Sequence, residues 1–168
     1  LILGGYGGRS WKDGAEALCP VFNCGNVPVE VHETNNPVRI HRLELIPDSA
    51  GAGQYRGGCG LRKDIELLKG GATAVLLGDR HVGAPYGLFG GGPGALAETV
   101  LLSGNQEIRL GSKEVRQLRR GDVISFRLAG AGGYGAARDR DREAVLADVA
   151  DGYISAATAA TVYGVEVA

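Results

Sequence analysis

Short runs of alternating hydrophobic and polar residues, separated by glycine clusters, set the reading of this chain. Val27, Val29 and Val31 alternate against polar neighbours, which predicts a strand over Val27–Glu33. Val38 and Ile40 share one face of a second strand, Val38–Leu45, before the apolar phase passes to Leu43 and Leu45. A phase change at Arg42 predicts a bulge. Asn35-Asn36-Pro37 between the two segments reads as a turn, since Pro37 lacks the N–H that a central ladder needs. Further strands are predicted at Leu61–Leu68, Thr73–Leu77, Thr99–Leu102 and Glu107–Leu110, the last two joined as a hairpin by Ser103-Gly104-Asn105-Gln106. Asp122–Leu128 alternates most clearly, with Ile124, Phe126 and Leu128 on the face expected to meet the core.

The pattern changes near the end. Acids at Asp139, Asp141 and Glu143, apolar residues at Val145, Leu146 and Val149, and Gly152 beyond them are the signals of a helix over Asp139–Ala150. Ser155 is placed to cap a second helix, Ala156–Tyr163, closed by Gly164. The fold class is therefore α+β, mostly β with glycine-rich turns and two short C-terminal helices. One domain is expected, with a β-dominated region over 1–136 and a helical tail over 137–168.

Composition sharpens this in one respect. Glycine supplies 29 of the 168 residues, against a usual share of about 7%, which excludes a helical bundle. The glycines gather at 4–8, 51–60, 83–94 and 130–135, and Gly4-Gly5-Tyr6-Gly7 recurs as Gly132-Gly133-Tyr134-Gly135 without matching flanks. A net charge of −1 offers no field for nucleic acid or an anionic membrane surface. The three cysteines, Cys19, Cys24 and Cys59, lack the spacing of a disulfide framework or zinc ribbon and read as small buried thiols, so a reducing, cytoplasmic setting is expected. No apolar run is long enough to span a bilayer. Methionine is absent even from position 1, and the chain is expected to be a piece of something longer.

Candidate chemistry lies in two places. Glu30, His32, Glu33, Asn35, Asn36, Arg39, His41, Arg42 and Glu44 form the densest polar stretch; the spacing favours a hairpin with paired charges on its solvent face, and the same residue types suit metal ligation or a general base with its orienting group. The string Asp48–Gly58 carries Ser49 and Arg56 among glycines. It could gather donors around an oxyanion, or form a rigid turn with Arg56 bonded to carbonyls or to Asp48. Gly51, Gly53 and Gly57 miss the dinucleotide fingerprint by one residue, and Gly111-Ser112-Lys113 lacks the upstream glycine of a phosphate loop. His81, after Asp79 and Arg80, reads as a turn histidine or a ligand-orienting one.

Several strings, taken in order, resemble the C-terminal part of the hydantoinase B subunits, a family that includes half of 5-oxoprolinase and large subunits of acetone and acetophenone carboxylases. They are Gly4–Arg9 with Lys12-Asp13-Gly14, Asn26–Glu30 with Glu33 and Pro37, Pro47-Asp48-Ser49 through Arg56-Gly57-Gly58, Pro85–Gly91, Gly121-Asp122-Val123, and the late Gly-Gly-Tyr-Gly followed by a helical tail. Ala50 departs from a glycine common in relatives. The resemblance implies an ATP-dependent hydrolase of a small cyclic amide or imide, of the N-methylhydantoinase or 5-oxoprolinase kind. It also implies a hetero-oligomer in which ATP and Mg are held by a partner subunit of the hydantoinase A type. A ketone carboxylase and a non-catalytic docking module are the alternatives. Any divalent metal would sit in an N-terminal portion outside this chain, and no metal ligand is assigned here. Carried onto this sequence, the catalytic candidates are Glu30, Glu33 and Asp48, and the substrate-binding candidates are Ser49, Gly51, Gly53, Arg56, Gly57 and Gly58.

Overall fold

The computed structural model describes residues 2–18 and 27–167. Seven strands follow a short helix: α1 (Val29–Asn35), β1 (Val38–Ile46), β2 (Gly60–Leu67), β3 (Ala72–Leu77), β4 (Glu98–Ser103), β5 (Gln106–Leu110), β6 (Lys113–Leu118) and β7 (Val123–Arg127). The tail holds a 3-10 turn (Ala137–Asp139), α2 (Arg142–Ala150) and α3 (Ala156–Thr158), which continues as a π turn over Ala159–Tyr163. The α+β class is as expected. Among the described residues no helix is long and apolar enough to cross a membrane.

Five strands form one antiparallel sheet in the order β1-β2-β7-β4-β5, and β3 pairs with β6 in a separate ribbon. The register of β1 on β2 shifts between Ile40 and Arg42, which is the bulge that the phase change predicts. Ser103 faces Gln106 across the β4–β5 hairpin, with Gly104 left-handed at φ 57°. The ribbon lies over one face of the sheet, where Leu76, Leu101, Leu110 and Ile124 are buried together against Ala74, Ile108, Leu118 and Phe126. A second core in the tail joins Val145, Ile154, Ala159, Tyr163 and Val165, and Ala52 of the glycine loop packs against it.

Two expectations need correction, and one strand is added. Val27–Glu33 is not a strand: Val29–Asn35 is helical, with His32 N–H bonded to Pro28 O and Asn36 N–H to His32 O. The partner of β1 is β2, so this segment meets no ladder, and its backbone groups are satisfied by local bonds instead. Pro37 then drives Asn36 into extended backbone and ends the helix. The polar stretch is accordingly not a hairpin, since His41 Nε2 and Arg39 Nη1 reach Glu66 Oε2 on β2 at 2.8 and 3.9 Å. Strand β6 goes beyond the strands that the pattern predicts, because Lys113–Leu118 carries charge at nearly every other position and pairs with a segment far away in sequence. In β7 the expected face meets the core, with Ile124 buried and Phe126 packed against the same cluster, and on the opposite face Ser125 is also buried, across from Asp64 and Val100.

Candidate functional site

Asp48–Gly58 runs from the end of β1 into the middle of the molecule, and its polar groups meet partners distant in sequence. Asp48 takes a left-handed φ of 58° and turns its carboxylate to the Ser155 N–H at 2.8 Å. Burial opposes ionisation of Asp48, but hydrogen bonds from Ser155 and Thr158 outweigh it and hold the carboxyl below its usual range. Ser49 is buried, donates to Ile46 O at 2.5 Å and accepts from Gly60 N–H at 2.7 Å. Its hydroxyl is thus committed on both sides.

Arg56 is the centre of a buried ion network. Its Nη1 donates to Glu16 Oε1 at 2.7 Å and to Gly57 O at 2.6 Å, its Nε lies 3.3 Å from Asp148 Oδ1, and its guanidinium stacks 4.4 Å from the centre of the Tyr153 ring. Arg140 clamps Asp13 through both carboxylate oxygens at 2.7 and 2.8 Å and lies 2.8 Å from Asp148 Oδ2. Asp148, on α2, therefore joins two arginines. Desolvation would lower the Arg56 pKa, but Glu16 and Asp148 raise it beyond its normal value, so it stays cationic. Asp13 is held low in the same way: burial works against its charge and the Arg140 and Arg56 contacts prevail. Asp13, Glu16, Arg140 and Asp148 are not legible as a group in the sequence, because no local spacing links them. The one available signal is Lys12-Asp13-Gly14 among the family-like strings.

Around this hub four glycine-rich segments pack backbone against backbone. Gly8 N–H bonds to Gly132 O at 2.9 Å, Gly58 N–H to Tyr6 O at 2.8 Å, Gly92 N–H to Ala52 O at 2.7 Å and Gly133 N–H to Gly92 O at 3.0 Å. The two Gly-Gly-Tyr-Gly strings thus lie side by side. A Cβ on Gly57 would collide with the backbone of Ala131, and one on Gly132 with the backbone of Tyr86. Gly51, Gly53 and Gly58 are closed in by neighbouring backbone in the same manner.

The other predicted carboxylates stand apart from the hub. Glu30 and Glu33 are on α1, which packs on β1, and Glu33 Oε1 accepts from Ile40 N–H at 2.7 Å. Cys59 is fully buried as a free thiol, and desolvation together with nearby Glu16 pushes its pKa up to about 11, so it is protonated at neutral pH. Cys19 and Cys24 lie outside the described residues. No group of three or more His, Cys, Asp or Glu among the described residues is arranged to hold a metal ion. A cavity of about 910 Å³ opens between residues 2–8, the end of β3 with the turn to His81, and the glycine segment 130–133. His81 and Thr99 line it, with Arg80, Leu77, Tyr86, Leu88 and Phe126.

The fold and hub define a class of protein: an α+β domain whose sheet grows out of close-packed glycine backbone, locked to a helical tail by buried charge. Comparison with known proteins then gives the family. The hydantoinase B/oxoprolinase family profile matches residues 1–137, and the chain belongs to that family. It is similar to the B-type chain of a putative D-/L-hydantoinase from Pseudomonas sp. (strain NS671), 34% identical over 99% of this chain and 29% of that one. It is also similar to 5-oxoprolinase 1 of Arabidopsis thaliana, 32% identical over 80% of this chain and 11% of that one. The crystal structure of the ATP-dependent caprolactamase from Pseudomonas jessenii superposes with a TM-score of 0.82 at 30% identity, covering 99% of this chain and 30% of that chain. A nucleotide-free acetone carboxylase shares the fold, with a TM-score of 0.81 at 22% identity over 96% of this chain and 26% of that one. The chain spans 25% and 29% of the length of the first two curated relatives it matches.

Proposed function

We propose that this chain forms the C-terminal part of the B-type subunit of an ATP-dependent cyclic amide or imide hydrolase, working with an A-type subunit that holds ATP and Mg. The observation that carries this reading is the likeness to caprolactamase, which extends over 99% of the chain in both fold and sequence. The work of this segment is positional. Asp48, Ser49 and Arg56 spend their polar groups on Ser155, Ile46, Gly60, Glu16, Gly57 and Asp148, which favours a scaffold and docking role over direct contact with substrate. Under the catalytic alternative, Glu30 and Glu33 act as base or orienting carboxylates and the Asp48–Gly58 loop binds the reacting oxyanion.

The deciding experiment is ATP hydrolysis by the complete two-subunit complex, stimulated by hydantoin, oxoproline or caprolactam, or by a ketone with bicarbonate. A cyclic amide should stimulate it; stimulation by the ketone alone would replace the hydrolase with a carboxylase. Within that complex, Glu30→Gln should leave turnover unchanged, and Arg56→Ala should lower assembly in proportion to turnover. A Glu30→Gln complex that assembles fully but turns over about a hundredfold more slowly would restore the catalytic reading.

A further inference from the structure

β1 and β5 are the edges of the sheet, and β3 and β6 are the edges of the ribbon. β1 carries Arg39, His41, Arg42 and Glu44, β5 carries Glu107 and Arg109, and β6 carries Lys113, Glu114 and Arg116. β3 reads Ala-Thr-Ala-Val-Leu-Leu, with neither charge nor proline. It pairs with β6 on one side, and among the described residues its other side meets no backbone partner. Alternate N–H and C=O groups of an antiparallel strand point to opposite sides, so about half of those on β3 are left open. An open, uncharged edge is a template for a further strand, and a soluble protein normally blocks it with charge, proline or a cover.

The surroundings of β3 suit a cover. Val75 and Leu77 are 63% and 80% exposed, and Val115, opposite Val75 on β6, is 65% exposed. The outer face of the ribbon is thus apolar where a solvated face would alternate to polar residues. The cavity of about 910 Å³ is lined by the consecutive residues 75–78 and by residues 4–8. Side chains alternate across a strand, so lining by consecutive residues puts the cavity against the backbone edge of β3 as well as one face. Much of each relative lies outside the matched part: this chain spans 29% of the hydantoinase B-type chain and 30% of the caprolactamase chain. An edge this apolar fits a permanent neighbour, since interfaces that never part are the more hydrophobic ones.

We propose that β3 pairs with a strand of the same B-type chain from outside these 168 residues, an uncharged segment that matches the six residues of β3 and extends the ribbon to three strands. Its backbone takes up the open N–H and C=O groups of β3, and its side chains continue the apolar row of Val75 and Val115. The longer B-type chain rests on the function proposed above; the open edge and its composition come from β3 itself.

The test is residue-resolved hydrogen exchange on the complete B-type chain, together with a photo-crosslinker, benzoylphenylalanine, in place of Leu77. Every amide of β3 should exchange slowly, the two alternating sets agreeing within about tenfold; an outward set faster by about a hundredfold or more would overturn the proposal. The crosslink should map to a segment of the same chain outside these residues. A crosslink to the A-type subunit, or to a second B-type chain told apart by isotope label, would overturn it. Should the altered chain fail to fold, exchange on the unaltered one decides alone: protection of β3 that arises only with the A-type subunit, or only as B-type chains dimerise, refutes the pairing. The expected crosslink in a complex without amide-stimulated ATP hydrolysis would remove the hydrolase reading and keep the interface; the reverse result would remove the interface only.

Discussion

Arg56 shows how a residue's surroundings in sequence and in space can point to different roles. Flanked by glycines, it has the look of an anion-binding residue in an open loop. In the fold its side chain is buried, and its carboxylate partners Glu16 and Asp148 lie 40 and 92 residues away. A buried charge that loses its partner is costly, so Asp148→Asn, which weakens the hold on both Arg56 and Arg140, should destabilise the chain by about 3–5 kcal/mol in urea unfolding. A loss below about 1 kcal/mol would mean that water reaches the network. Cys59 beside it is legible from sequence as a small buried thiol, because nothing about that role depends on a distant partner.

Elements are legible where their own residues carry the pattern. The β1 bulge, the β4–β5 hairpin and the first tail helix are local, and each appears where expected, except that α2 begins at Arg142 behind an Asp141 cap and Asp139 falls in the 3-10 turn before it. Helix α1 reads as a strand because Val27, Val29 and Val31 alternate, yet alternation makes a strand only when another strand is present to pair with it. The glycine segments are a subtler case. Their abundance suggests turns, but Gly57 and Gly132 serve instead to let backbones touch. Gly132→Ala should therefore cost about 3 kcal/mol or more in thermal or chemical unfolding, as an overpacked site does. Gly70→Ala, whose Cβ would meet nothing closer than Arg120 N at 3.8 Å, should be neutral or stabilise by up to about 1 kcal/mol. Equal effects at the two sites would contradict close packing as the reason for the glycines.

For the molecule as a whole, acid is the condition that tests how the N-terminal segment, the loop and the tail are held together. Asp13 and Asp48 both have folded pKa values below the ordinary 3.8, through Arg140 and Arg56 in one case and Ser155 and Thr158 in the other. A depressed carboxylate pKa contributes stability that is complete above the unfolded value and is lost as the pH falls through the folded one. The melting temperature should thus be flat near neutrality and fall steeply below about pH 4. Asp13→Asn should lower the plateau and flatten the acid limb; a limb of unchanged slope would show that Asp13 does not contribute to it.

Composition and local pattern are enough to establish an α+β chain, most of its strands, its helical tail and, through glycine strings kept in order, its family. Those properties depend on a residue and its near neighbours. The ion network, the pairing of β3 with β6, the helix at Val29–Asn35 and the His81–Thr99 contact depend on residues brought together from across the chain. Charge and glycine have no fixed partner in a one-dimensional pattern; a guanidinium serves equally for a ligand or a buried carboxylate, and a glycine for a turn or a close contact. Only the packed chain selects among them, because burial makes an unpaired charge costly and leaves no room for a Cβ between touching backbones.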